Sequence, residues 1–317
     1  AFTERWNKGV VWTDTRLAYD LQRLSLPIMK SADLGRITPR FYASFDMVEL
    51  FYSNKGIPID EDPDWNYDAR YQLRVSTPEA NNETNIPLNE RTVALHFDRE
   101  PRFYANLGFD RGYFELSNLT KDRGKTFTPF LKTRQGDVAN YENPRAYYMK
   151  KLVAFESNAN DAGGYVMNPY LFPVIRLADL YLLYSEALNE VNDSPNEEVY
   201  YWIDQVRAIT GLKGVVESWS ESLFPDRPFD KNEMRKIIQQ ERLIELAFEG
   251  QRFWDVRRWK RIHEFWSRPG RNWNNSGRTA EDYYTIVQVR DARTITVKDY
   301  LWPISLNDLR INKNLVQ

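Results

Sequence analysis

The chain has 317 residues, of which 28% are charged and 42% hydrophobic, so it buries a sizeable core and is too apolar for a disordered segment. Its formal net charge of −2 excludes the broad basic face that nucleic acid requires. The lack of cysteine excludes disulfides, thiol catalysis and thiolate metal sites, and no run reaches the ~20 apolar residues that cross a bilayer.

Along the chain the two halves read differently. Residues 1–165 are dense in turn signals such as Asn54-Lys55-Gly56, Asp62-Pro63-Asp64, Asn81-Asn82 and Gly163-Gly164. Between them lie short apolar runs, and Phe41 to Tyr52 is the best helix candidate. This half is expected to be an irregular, loop-rich, aromatic-rich ligand-binding region with few short strands. From residue 166 onward the chain reads as helical, and the two parts are expected to form one continuous domain. Val174, Leu177, Tyr181, Tyr184, Leu188 and Val191 step by three and four residues, which predicts one stripe of a helix, with Pro173 just before it at a favourable place for a helix start. A second helix is predicted over Asn196 to Thr210, with Val199, Trp202, Ile203 and Val206 inward and Gly211 as its stop. Asp230 caps a third, expected to run from Lys231 to about Phe265 with an interruption at Gly250. Residues 267–282 read as loop, and the tail resumes with alternation at 283–289. The first two helices have the length of one tetratricopeptide repeat. One such pair cannot bury both its faces, since repeats of this kind usually need about three units.

Three groups of residues invite functional readings. Glu241, Glu245 and Glu249 share one helix face at i,i+4 spacing. They form either an acid/base site of glycosidase type or a buried ion network with Arg176, Arg207, Arg242 and Arg252. The network is the favoured reading, because Glu241 falls on the apolar stripe of Met234, Ile237, Ile244 and Phe248, where an unpaired charge is costly. The run Asp60-Glu61-Asp62-Pro63-Asp64 offers oxygen ligands for calcium but reads first as a solvated loop. The two histidines, His96 and His263, show no metal-ligating spacing, and no Gly-x-Ser-x-Gly elbow, P-loop or dinucleotide fingerprint is present. No metal, cofactor or catalytic residue is expected.

With 15% aromatic residues, including 10 Trp and 19 Tyr, the chain has rings beyond the needs of a core. Such rings offer a flat apolar face for sugars, with neighbouring amides and charges to take the hydroxyls. Trp65, Asn66, Tyr67 and Tyr71, in a Pro/Asp-rich segment where rings are hard to bury, are the first ligand-binding candidates. Tyr113 with Phe114, and the Trp273-Asn274-Asn275 loop, follow.

The strings FPVIRLADLYLLYSEALNEV (172–191), IDQVRAITGL (203–212) and IIQQERLIELAFEGQRFWDVRRW (237–259) resemble, in order, the signature helices of the SusD/RagB family. DREPRFYANLGFDRG (98–112) is similar to its Asp-Pro-Arg segment, with Glu100 where Asp is usual, and YLWPISLNDLRINKNLVQ is similar to its closing segment. Ala208-Ile209-Thr210 and Ser305 depart from the pattern. The resemblance covers residues 90–317 well and the rest loosely. It implies a mainly α fold of tetratricopeptide-like helix pairs, here as a C-terminal portion without the family's N-terminal helices. It further implies a non-catalytic, lipid-anchored protein on the outer face of a Bacteroidetes-type outer membrane. The implied partners are an oligosaccharide ligand and a SusC-like TonB-dependent transporter, and the membrane is met only through an N-terminal lipid anchor that this chain lacks. The opening AFTERWNKGV has no signal-peptide character, in keeping with a mature or truncated product. Peptide capture of the RagB kind, or a protein-interaction scaffold without a small ligand, are the alternatives.

Overall fold

The structure, a computed structural model, describes residues 2–4, 7–28, 37–78, 85–117, 146–160, 162–301 and 303–315. The Asn81-Asn82 turn and Trp302 lie outside these residues. In chain order the first half holds β1 (Val10–Leu17), α1 (Tyr19–Ser25), α2 (Phe45–Leu50), β2 (Leu73–Val75), β3 (Arg91–Val93), α3 (Pro101–Asn106), β4 (Leu107–Phe109), β5 (Tyr147–Met149), β6 (Asn158–Ala159) and β7 (Tyr165–Val166). The second half holds β8 (Leu171–Arg176), α4 (Leu177–Val191), α5 (Glu197–Ile209), α6 (Val215–Trp219), α7 (Lys231–Glu245), α8 (Gln251–Arg258), α9 (Ile262–Trp266), β9 (Gly270–Trp273), α10 (Ala280–Tyr283), β10 (Ile286–Arg290) and α11 (Leu306–Ile311). The fold is mainly helical. Among the described residues its strands form two-stranded antiparallel ribbons: β1 with β8, β2 with β3, β4 with β5, β6 with β7 and β9 with β10.

The predicted helices exist, with shifted ends and one reversed face. Ser44 caps α2 by accepting from the Met47 N–H at 3.3 Å, and the helix runs six residues rather than from Phe41 to Tyr52. Pro173 and Val174 do not start a helix; they lie in β8, where Pro173 faces Thr13 of β1. The helix begins only at Leu177. Its buried residues are Leu182, Ser185, Glu186 and Asn189, whereas Tyr184 and Val191 of the predicted stripe are exposed at 46% and 84%. The polar side of α4 therefore packs inward, because it meets the charged side chains of α7 and α8. Asn196 caps α5 through the N–H groups of Glu198 and Val199, and Gly211, at φ +77°, ends it as the sequence predicts. Asp230 caps α7. The long third helix divides at residues 246–250, where Phe248 (φ +69°) and Gly250 (φ +88°) take left-handed conformations that end one helix before the next begins. The 267–282 segment is less irregular than its composition indicates, since β9 lies within it.

The largest core joins both halves of the chain. Phe45, Ile57, Val93 and Phe103 pack with Leu182, Ile203, Ile237, Ile244 and Trp273.

Candidate ligand-binding loop and charged lattice

The segment 60–75 is held by its own polar groups and by charged side chains from neighbouring segments. Asp62 accepts from the Asp64 N–H at 3.0 Å and lies 3.3 Å from Lys55 Nζ. Lys55 also pairs with Asp64, and Glu61 pairs with Arg227. The acidic run is thus ion-paired to lysine and arginine. Among the described residues, no group of three or more His, Asp or Glu side chains is arranged to hold a metal ion.

Within this segment the rings are anchored at one end. The indole N–H of Trp65 donates to the Phe97 carbonyl at 3.3 Å, and Trp65, Tyr67 and Tyr71 are half-buried against the main core. Asn66 is exposed and accepts from the Ala69 N–H at 3.1 Å. The guanidinium of Arg70 sits between two rings, 3.9 Å from the Tyr67 centroid and 4.3 Å from that of Tyr71. It also donates to Glu49 at 3.2 Å. The Tyr71 hydroxyl donates to Glu49 and receives Arg271 Nη1 at 3.0 Å. Burial and the Glu49 carboxylate push the Tyr71 hydroxyl up to about 12, so it remains a donor at neutral pH. Burial alone would raise the Glu49 carboxyl, but Tyr71, Arg271 and Arg70 hold it below its ordinary value. Stacked cations and charge-assisted bonds of this kind fix the rings in one orientation.

The other ring candidates divide. Tyr113 is half-buried, and its N–H donates to the Asn85 carbonyl at 3.0 Å. Phe114 is fully buried, which removes it as a stacking surface. Trp273 is 1% exposed and meets Phe45 edge-on with centroids 4.7 Å apart, so it is a core residue and not a ligand loop. His96 is also buried, between Thr92 Oγ1 at 2.7 Å and Tyr147 Oη at 2.9 Å, and burial holds its ring well below the usual histidine range.

The three glutamates form a lattice with arginine and lysine. Glu241, fully buried, accepts from Arg102 Nη1 at 2.6 Å and Arg207 Nη1 at 3.0 Å. Arg102 also bonds Glu100 at 2.6 Å and Glu245 at 3.3 Å. Arg176 joins Glu245 at 3.0 Å to Glu249 at 2.6 Å, and Lys151 reaches Glu249 at 2.5 Å. Each carboxylate is saturated by cations, an arrangement that fixes helix register and offers no general acid or base. Arg242 belongs to a neighbouring cluster with Asp179 and Asp255. Arg252 stands outside the lattice: it meets Met47 Sδ at 3.4 Å and lies over the Phe265 ring. Arg102 and Lys151 are members the sequence reading missed. They sit in the loop-rich half, and only the fold brings them to α7.

A second feature escaped the sequence reading. Trp12 on β1, 63% exposed, borders a groove of 490 Å³ with Glu4, Asn7, Leu171 and Pro173. An adjoining groove of 570 Å³ has Arg102, Lys150, Arg176, Tyr181 and Ile209 in its walls. The only sequence signal for the first was one tryptophan within a β-branched run.

The repeat-like helix pair α4–α5, the aromatic 60–75 loop and the cation–carboxylate lattice belong to a mainly helical fold. The family model of the SusD family matches residues 18–317, and the chain belongs to that family. A curated relative, the SusD-like protein P2 of Formosa agariphila, is 38% identical over 89 residues, 27% of this chain and 16% of that protein. The solved structure of BT4246 superposes with a TM-score of 0.75 at 22% identity, covering 98% of this chain and 52% of that one. A SusD-like carbohydrate binding protein, BF0978, from Bacteroides fragilis NCTC 9343 gives a TM-score of 0.55 at 24% identity, covering 86% and 48%. The chain thus spans about half the length of the solved structures it matches.

Proposed function

We propose that this protein captures oligosaccharides without cleaving them and passes them to a SusC-like TonB-dependent transporter in the outer membrane, where a lipid anchor would hold it at the extracellular face. Membership of the SusD family across residues 18–317 is the observation that supports this most directly, together with the carbohydrate binding ascribed to BF0978. Among the described residues no helix is long and apolar enough to cross a membrane, so attachment would need another device. For the ligand contact we favour Trp65, Asn66, Tyr67 and Tyr71, with Tyr113 as an outlying member. Their support is the fixed ring orientation around Arg70 and the exposed Asn66 amide beside it. A saturated carboxylate lattice favours capture over hydrolysis.

The test is calorimetry with a panel of neutral and acidic oligosaccharides and peptides, with chromatography of the mixtures afterwards. Saturable binding of one glycan class, weakened by Tyr67→Ala, with no shortened product, is the expected result. Release of shorter glycans would refute the non-catalytic reading. Saturation by peptides alone would assign the ligand to the RagB kind.

A further inference from the structure

Beside the 60–75 loop stands another exposed ring. The turn between α6 and α7 presents Leu223 and Phe224, 56% and 46% exposed, although the helices on either side bury Trp219 and Met234. Three contacts tie this turn to the loop. The Leu223 N–H donates to the Glu61 carbonyl at 2.9 Å. Arg227 pairs with the Glu61 carboxylate and lies 4.2 Å from the Phe224 ring centroid. Lys55 stands 3.3 Å from Asp62 and 3.8 Å from Glu221. Phe224 is thus held next to the segment that carries Trp65 and Tyr67, with Arg227 over its ring and nearly half its surface in water.

The joined surface has one sign of charge. Residues 60–68 hold five Asp and Glu and no Lys or Arg, and residues 217–226 hold three and none. Lys55, Lys213 and Arg227 reach into it and pair with some of these carboxylates. Asp60 and Asp68 are exposed and have no ion-pair partner among the described residues. Arg70, the cation between the rings, is engaged by Glu49. A carboxylate accepts hydroxyl hydrogens and donates none, which suits a polyol. A uronate or sulfate on the ligand is also an acceptor, so it would meet like charge without gaining a hydrogen bond.

We propose that the 60–75 site takes uncharged oligosaccharides, with Phe224 as a further ring contact and Asp60 and Asp68 turning away glycans that carry uronate or sulfate. This rests on the glycan capture proposed above and adds the ligand class to it. An exposed ring supplies stacking area for one more sugar unit, and the carboxylates around it supply the discrimination.

The test is calorimetry with neutral gluco-, manno- and galacto-oligosaccharides and with the same glycans oxidised to carboxylate at C6. The oxidised form of the glycan that saturates the protein should bind at least about fivefold more weakly at low salt. That gap should narrow at about 0.5 M salt, where screening acts within a few ångströms, and again in Asp60→Asn with Asp68→Asn. A gap due only to the lost C6 hydroxyl would respond to neither. Phe224→Leu should weaken the neutral glycan about three- to tenfold and Phe224→Trp should retain it, both at unchanged melting temperature. An oxidised glycan bound as tightly as its parent, a gap indifferent to salt and to the asparagines, or full affinity in Phe224→Leu would each overturn the proposal and leave glycan capture standing. Saturation by no glycan of either set would refute capture itself.

Discussion

Replacing Glu241 by alanine removes the acceptor shared by Arg102 and Arg207, which donate to it at 2.6 and 3.0 Å. Both guanidinium groups stay in place, because Arg102 is held by Glu100 and Arg207 by the Gly56 carbonyl and Ser218 at 2.8 Å. Each would face a dry cavity with positive charge uncompensated. Breaking a buried ion pair from one side costs about 3–5 kcal/mol. Unfolding entropy of roughly 2.1 cal/mol/K per residue, taken over 317 residues, converts this into a fall of about 4–8 °C in melting temperature. Thermal unfolding followed by circular dichroism reads that shift. An unchanged melting temperature in Glu241→Ala would refute the architectural reading. Loss of glycan binding at unchanged stability would move Glu241 into the ligand site.

Tyr67→Ala should weaken glycan binding by roughly three- to tenfold, the equivalent of one lost ring contact of about 0.5–1.5 kcal/mol, and calorimetry at two salt concentrations should find the remaining affinity nearly salt-independent. Acid should destabilise the fold through Glu49 and Glu245. Burial raises both carboxyls, but the Tyr71 hydroxyl with Arg271 and Arg70 at Glu49, and Lys151, Arg102 and Arg176 at Glu245, outweigh it and hold each below its ordinary value. A depressed acid contributes stability above its unfolded pKa of about 4.3 and loses it as pH falls through the folded value, so melting temperatures should drop below about pH 4; a flat profile down to pH 3 would refute this. At Gly56 (φ +78°) an added Cβ would lie 2.6 Å from Arg207 Nη2, whereas at Gly211 (φ +77°) it meets nothing. Gly56→Ala should therefore cost clearly more than the ~1 kcal/mol of backbone strain expected for Gly211→Ala, as equilibrium urea unfolding would show.

The sequence made the helical half legible because caps and stops are local. Asn196, Asp230 and Gly211 each act within a few residues of their own backbone. What the sequence hid was which face of α4 turns inward. Hydrophobic periodicity identifies an apolar stripe but assumes that the stripe is the buried side. Here Glu186 is buried because Arg258 and Trp259 reach it at 2.6–2.8 Å from α8 and its end, a partnership more than seventy residues distant. The same blindness to distance put Arg252 in the lattice and left Arg102 and Lys151 out. It also made Trp273 a loop candidate, although β9 carries it into the core beside Phe45.

These misses have a common cause with the strength of the family signature. Most of the residues that make the signature recognisable, Arg176, Arg207, Glu241, Glu245, Glu249 and Arg258, pair with partners far away in sequence. A lattice of buried charges tolerates few substitutions, because changing one member strands its partners. The proposed ligand contact Asn66 faces no such restriction: it accepts from the Ala69 N–H of its own turn, and altering it strands no buried charge. The signature therefore marks a scaffold, and the proposed ligand side chains Asn66 and Tyr67 lie outside it. If the 60–75 loop carries the proposed ligand contact, specificity for a given glycan should change through that loop while the lattice, and its contribution to the melting temperature, stays constant.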